Sequence, residues 1–364
     1  MANLANRKYL VYLNWPERCF RAEAREMAVF KRLVPKGVRV VRVTDDASFL
    51  RELPSATHVV TWHFWKEWFP LAPKLEWLAT PSAGRELIAW REAPETVRIH
   101  FGGFHGKTMS EAAVGFMLAW AHGFFLPEIR SARYGDTPRK CGDTPHKCGD
   151  TPSAKCGDTP WKINWPRAAI GAKCHNLCGS LAVIVGYGKV GRAIGSSLES
   201  LGVKVMGFGR SNISELPKAV KRADWLILAL PSDTGTDHFL DSRLIDMLPR
   251  KCVVVNVGRG NAVDESALLE ALRGRRLAGA YLDVFCREPI NLPFFLGSVP
   301  SPKGTVPMPS GGSVPSQKGT VPAGILDVRP SELPENLIIM PHSSAFSDDY
   351  LIFCFKELKD DGFF

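Results

Sequence analysis

Leu181-Ala182-Val183-Ile184-Val185-Gly186-Tyr187-Gly188-Lys189-Val190-Gly191-Arg192-Ala193-Ile194 decides how this chain folds. Its five leading apolar residues read as a strand buried on both faces. Gly186, Gly188 and Gly191 then make Gly-x-Gly-x-x-Gly, and an amphipathic helix follows to about Leu201. In this motif the first glycine permits the tight turn and the second lets a pyrophosphate approach the backbone. The third lets the helix close on the strand. The helix start adds free N–H groups and a partial positive charge that favour phosphates. A ligand-free glycine turn is the plain alternative; the strand before the motif and the helix after it favour dinucleotide binding.

Downstream, strands are expected at Val203–Phe208, Trp225–Leu230, Cys252–Val257, Leu277–Phe285 and Leu337–Met340, with a helix at Glu265–Leu272. Strand, helix, strand in this repetition is a doubly wound nucleotide-binding sheet. Upstream, Lys8–Leu13, Val38–Val43, Thr57–Thr61, Leu75–Ala79 and Val97–Phe101 read as strands, and Arg18–Leu33 as a helix stopped before Pro35 and Gly37. This is a second α/β unit over 1–108, rich in tryptophan: Trp62, Trp65, Trp68, Trp77 and Trp90, most of them expected in the core. An apolar helix capped by Ser110 and running to Phe125 crosses into the nucleotide-binding unit, 109–344. A last helix, Asp348–Lys359, closes the chain, and residues 345–364 are expected to pack back on the first unit.

Two low-complexity insertions interrupt this plan, at about 138–160 and 297–323. The first repeats Gly-Asp-Thr-Pro, with Lys-Cys before each later copy; the second repeats Gly-Ser-Val-Pro-Ser. Neither holds enough apolar residues to build a core, so both are expected as surface loops. Cys141, Cys148 and Cys156 with His146, and Cys174 and Cys178 around His175, match no paired zinc-knuckle spacing, so no metal is expected.

The chain has 364 residues, 45% of them apolar, enough for two domains with real cores. No run approaches the roughly 18 apolar residues of a membrane span. The start, Met1-Ala2-Asn3-Leu4, lacks a signal-peptide core, and the nine cysteines form no evident framework, so a cytoplasmic protein with reduced thiols is expected. The net charge of +9 is dispersed, which argues for a small anionic ligand rather than nucleic acid.

Ligands of open α/β sheets bind outside the carboxyl ends of the strands. The cofactor candidates are therefore Gly186, Tyr187, Gly188, Lys189, Val190 and Gly191, then Arg210 and Ser211, Leu230 and Pro231, and Val257 and Gly258. Gly209-Arg210-Ser211 supplies no acid for ribose hydroxyls but offers a base and a hydroxyl for a 2′-phosphate, which favours NADP, with NAD as the alternative. Arg259 lies past the fourth strand of this unit, Glu288 past the fifth and His342 past the sixth. Singly each has a structural reading; together, beside a dinucleotide site, they point to catalysis.

With the glycine turn, Asn256-Val257-Gly258-Arg259-Gly260, Leu282-Asp283-Val284-Phe285, Glu288-Pro289 and Pro341-His342-Ser343, the chain resembles the D-isomer-specific 2-hydroxyacid dehydrogenase family, particularly its glyoxylate and hydroxypyruvate reductase-like members. The resemblance implies a Rossmann nucleotide-binding domain beside a flavodoxin-like substrate domain. It implies an oxidoreductase moving hydride between NADP(H) or NAD(H) and a small 2-keto or 2-hydroxy acid. Arg259, Glu288 and His342 become the catalytic set, with Arg259 the substrate clamp and His342 the acid/base. Asp283 contacts the nicotinamide carboxamide, and Ser82, Ala83 and Gly84 hold substrate. A homodimer is also implied, with the Ser110–Phe125 helix a candidate contact. Family members continue further past the last helix, which implies a tail short enough to weaken stability or pairing. The alternative is a non-catalytic nicotinamide-binding regulator of the corepressor type.

Overall fold

The computed structural model describes residues 7–126, 171–288 and 332–364; both repeat insertions, with Cys141, His146, Cys148 and Cys156, lie outside the described residues. Strands β1 (Lys8–Tyr12), β2 (Arg39–Arg42), β3 (His58–Thr61), β4 (Trp77–Thr80) and β5 (Arg98–Phe101) form one parallel sheet in the order β2-β1-β3-β4-β5. Strands β6 (Leu181–Val185), β7 (Lys204–Phe208), β8 (Trp225–Leu228), β9 (Val253–Asn256), β10 (Gly279–Leu282) and β11 (Leu337–Ile339) form a second, in the order β11-β10-β9-β8-β6-β7. Both sheets share one plan: the first strand lies between the second and third, and later strands extend beyond the third. This is the flavodoxin-like doubly wound order; the second sheet differs from the 3-2-1-4-5-6 Rossmann order in placing its third strand against its first. The winding reverses at β6, so a crevice opens between the carboxyl ends of β6 and β8.

The helices are α1 (Ala24–Leu33), α2 (Asp46–Glu52), α3 (Gly106–Ala121), α4 (Lys189–Ser200), α5 (Leu216–Val220), α6 (Ser242–Met247), α7 (Glu265–Arg273) and α8 (Tyr350–Asp360). Strands β8 and β9 are buried along their whole length, as a parallel sheet covered on both faces requires. Their side chains alternate between two cores. Leu226, Leu228 and Val254 face Leu268 and Leu272 of α7, while Ile227 and Val255 face Met117 of α3 and Ile194 and Leu198 of α4. Each such fully buried aliphatic side chain contributes about 1.5–3 kcal/mol. In the first sheet, Tyr9 and Val11 pack with Phe30 of α1 and with Tyr350, Cys354 and Phe355 of α8, so the final helix joins the first unit's core.

Two helix starts differ from the sequence reading. The Arg18–Leu33 helix is broken: Arg18–Phe20 is a single 3-10 turn, and α1 begins at Ala24 behind a capping box of Glu23 and Glu26. Ser110 does not cap its helix. The helix starts a turn earlier, at Gly106, and the Ser110 hydroxyl donates back to the Lys107 carbonyl at 2.7 Å, inside the helix.

Candidate functional site

The strands of the second sheet end level. Val185 pairs with Phe208 and Leu228, Leu228 with Asn256, Asn256 with Leu282, and Leu282 with Ile339. The residues that follow each strand therefore stand in one row along the sheet edge. Gly186 opens the row with φ +91°, and a Cβ there would lie 2.4 Å from the Ala229 carbonyl oxygen. A Cβ on Gly191 would lie 2.4 Å from the Gly186 carbonyl oxygen, so this glycine sets how closely α4 approaches β6. Gly188, the cap of α4, faces open space. The turn is thus tight against the protein on one side and clear on the other, which fits a pyrophosphate at a helix start.

A cleft of about 500 Å³ lies between the two sheet units. Of the residues singled out from sequence, Ala83, Gly84, Gly186, Gly188, Lys189, Val190, Leu230, Pro231, Val257, Gly258 and Arg259 line it. Ser82, Tyr187, Gly191, Arg210, Ser211, Asp283, Glu288 and His342 are not among its lining residues. Ser82 supports the wall, its hydroxyl accepting the Gly84 N–H at 3.1 Å. The Tyr187 ring lies over Gly207, where a Cβ would come within 2.4 Å of it. Arg210 is 94% exposed and pairs with Asp233 at 3.4 Å.

Glu288 and His342 meet. His342 Nδ1 lies 2.7 Å from Glu288 Oε2, and the other Glu288 oxygen accepts the Phe285 N–H at 3.0 Å. The hydrogen bond to Glu288 pulls the His342 imidazole above its ordinary pKa; burial and the charge of Arg259 oppose it, while the charges of Glu288 and Asp283 assist. Burial pushes the Glu288 carboxyl up, but His342, the Phe285 N–H and Arg259 outweigh it and hold the acid below its ordinary value.

The turn carrying His342 is strained and braced. His342 has φ +52°, rare for a residue with a side chain. Its N–H donates to the Asp283 carbonyl at 2.8 Å. The fully buried Asp283 carboxylate accepts the Ser343 N–H at 2.9 Å and the Ser344 N–H at 3.1 Å. Asp283, assigned by resemblance to the nicotinamide carboxamide, is here the anchor of the histidine turn. Buried Asn256 does the same for Arg259: its amide donates to the Arg259 carbonyl at 3.0 Å and its oxygen accepts the Gly258 N–H at 3.1 Å.

The Arg259 guanidinium donates to the Gly258 carbonyl at 3.0 Å, and its Nε lies 3.6 Å from Glu86. Sequence reading did not single out Glu86, which reaches Arg259 from the first unit. A second missed group is Glu357 on α8. It accepts the Gly103 N–H at 2.8 Å and lies 3.3 Å from His100 Nε2 and 3.2 Å from Lys189 Nζ. Burial pushes Glu357 up, but these partners outweigh it and hold the acid at about 2. His100, Glu357 and Asp361 bring ligand atoms within 4.8 Å of one another, yet the Lys189 ammonium shares the same carboxylate, an arrangement unfavourable to a cation. Cys174 and Cys178 are free thiols.

Residues 158–300 match the family model of the D-isomer specific 2-hydroxyacid dehydrogenase, NAD binding domain. Over this stretch the chain is similar to that family. The chain is similar to the glycerate dehydrogenase of Methylorubrum extorquens, 25% identical over 222 residues that cover 60% of this chain and 63% of that one. It is 30% identical over 126 residues to the glyoxylate reductase of Thermococcus gammatolerans, covering 32% of this chain and 38% of that one. It thus spans less than two thirds of the length of these curated relatives. The fold is like that of the NADPH-dependent glyoxylate/hydroxypyruvate reductase of Sinorhizobium meliloti, solved with NADP and sulfate, with TM-score 0.63, 21% identity and coverage of 98% and 95% of the two chains. The matched stretch contains the glycine turn, Arg259 and Glu288; His342 follows it on the same sheet edge.

Proposed function

We propose that this chain is a nicotinamide-linked reductase of small 2-keto acids, using NADP(H) in preference to NAD(H). The observation that carries the reading is the 2.7 Å pair of Glu288 and His342, within reach of the Arg259 charge at the carboxyl edge of a dinucleotide-binding sheet.

A reduced nicotinamide coenzyme held at the Gly186–Gly191 turn would supply the hydride for the carbonyl carbon of the keto acid. Arg259 grips the substrate carboxylate through its planar fork, in competition with Glu86. His342 Nδ1 is engaged by Glu288, so Nε2 is the nitrogen that donates a proton to the carbonyl oxygen as negative charge develops there. The ionised Glu288 favours imidazolium before transfer, and Asp283 fixes the turn that presents the ring. The product is the 2-hydroxy acid; in oxidation, neutral His342 takes the proton back.

The preference for NADP rests on the absence of a carboxylate over 209–212 and on the exposed Arg210, which a 2′-phosphate would draw from Asp233. The Sinorhizobium relative is NADPH-dependent by description. A homodimer would use the outer face of α3, where Lys107, Glu111 and Gly115 are exposed and the inner face is already filled by α4. No helix among the described residues is long and apolar enough to cross a membrane, and we place the protein in the cytoplasm.

The test is initial rates with NADPH and NADH against glyoxylate, hydroxypyruvate and other 2-keto acids. Coenzyme oxidation, fastest with NADPH and lost in His342→Ala, is expected. Coenzyme binding with no oxidation across the panel would refute the reductase and favour the non-catalytic regulator.

A further inference from the structure

The lip of the cleft contributed by the first unit carries more positive charge than one carboxylate needs. Arg85, Trp90 and Arg91 all line the cleft with Arg259. The Arg85 guanidinium lies 5.1 Å from the centroids of both the Trp90 and Phe101 rings, and the Arg91 guanidinium lies 5.1 Å from Trp90 as well. Two like charges on one indole repel each other, and among the described residues neither has an acidic partner within 4.0 Å. Both arginines are exposed, and each ring contact favours its present placement by about 0.5–1 kcal/mol. Arg85 directly follows Gly84, the residue against which Arg259 sits. Arg259 and the Arg85–Arg91 pair thus face one shared cleft of about 500 Å³, a volume that suits a single small molecule.

We propose that the substrate is a 2-keto acid with a second anionic group at its far end, a carboxylate or a sulfonate. Its keto-acid carboxylate lies on Arg259 and the Ala83–Gly84 backbone, its carbonyl faces His342, and its distal anion bridges Arg85 and Arg91 over Trp90. This rests on the reductase reading and adds the substrate class. The discrimination is against neutral tails, which leave the Arg85 and Arg91 charges without an anionic partner.

The test compares kcat/KM for isosteric pairs at low ionic strength: oxaloacetate against 4-methyl-2-oxopentanoate, and 2-oxoglutarate against 5-methyl-2-oxohexanoate, with glyoxylate as reference. At least one dianion is expected to exceed its neutral isostere about fivefold or more, as two partly exposed charge-assisted contacts allow. The ratio should fall several-fold in the wild-type enzyme as salt is raised, a readout that needs no variant. In Arg85→Gln/Arg91→Gln the ratio should collapse towards one, and Arg85→Lys/Arg91→Lys should restore most of it. Reduction of glyoxylate with neutral isosteres matching or exceeding both dianions overturns the proposal and leaves the reductase intact. So does a variant that lowers all substrates in the same proportion. No reduction of any keto acid, glyoxylate included, overturns both.

Discussion

Replacing Glu288 by glutamine keeps the shape of the His342 partner and removes its charge, so the change should appear as pH dependence. In reduction the imidazole must carry its proton. The wild-type rate should be level below the pKa of His342 and fall above it, and Glu288 extends the level region beyond the ordinary imidazole range. In Glu288→Gln, burial and Arg259 still lower the pKa and only the Asp283 charge still raises it, so the alkaline fall moves to lower pH. A charge-assisted hydrogen bond is worth about 1.5–3 kcal/mol when desolvated. The His342 and Glu288 side chains are 50% and 33% exposed, which reduces this to about 1 kcal/mol after solvent screening. That corresponds to roughly a fivefold loss of kcat/KM on the alkaline limb and little loss well below both pKa values. In oxidation, where neutral imidazole is required, the variant should gain at low pH. The assay is NADPH oxidation with glyoxylate, and NADP reduction with the hydroxy acid, across pH. Superimposable profiles for wild type and Glu288→Gln, or a loss of the same sign and size in both directions, would show that the carboxylate does not govern the proton on His342.

Asp283→Ala leaves the Ser343 and Ser344 N–H groups without their buried acceptor; about 1–3 kcal/mol of stability should be lost by denaturant unfolding, and kcat should drop with it. Gly191→Ala puts a methyl 2.4 Å from the Gly186 carbonyl oxygen, so about 1–3 kcal/mol of overpacking strain and weaker NADPH-induced thermal stabilisation are expected; an unchanged NADPH response would argue against the turn as the phosphate seat. Glu86→Gln frees Arg259 from a competing carboxylate, and KM for glyoxylate should fall about two- to fivefold; an increase would mean that Glu86 positions the arginine instead. Burial holds His58 and His105 neutral with pKa values of about 4, against 6.5 in the unfolded chain. Unfolded histidines therefore bind protons first, stability should drop as pH falls from about 6.5 to 4, and His58→Gln should flatten that slope in pH-dependent chemical denaturation.

The strands were legible because parallel strands covered on both faces must be apolar throughout, and runs such as Trp225–Leu228 and Val253–Asn256 leave little room for another reading. Helix starts were less so. Ser110-Glu111 has the chemistry of a cap, but Thr108 and Ser110 instead turn their hydroxyls onto carbonyls of the preceding turn, at 3.1 and 2.7 Å, and let the helix begin at Gly106. The short α2 and α6 went unread although Asp45 and Asp241 cap them, each accepting an N–H at 2.8 Å; seven and six residues are too few to show a helical period. The strand order of the second sheet depends on which side of β6 receives β8, and no local pattern records that choice.

For the site, the legible part is what one sheet edge brings together, and the illegible part is what arrives from elsewhere. Glu288 and His342 could be expected to meet because both follow neighbouring strands with level ends. Glu86 could not, because it reaches Arg259 only once the two units face each other across the cleft. Lys189 carries the same lesson further. Read in the glycine motif, it is a cation waiting for phosphate; in the fold it sits 3.2 Å from Glu357, which also holds the Gly103 N–H at the end of the first sheet. Glu357 belongs to α8, whose Cys354 and Phe355 are buried in the first unit's core. A pyrophosphate at the glycine turn must therefore compete with a carboxylate anchored in the other unit. Coenzyme affinity then depends on how the first sheet packs its final helix, although no residue of that helix lines the cleft.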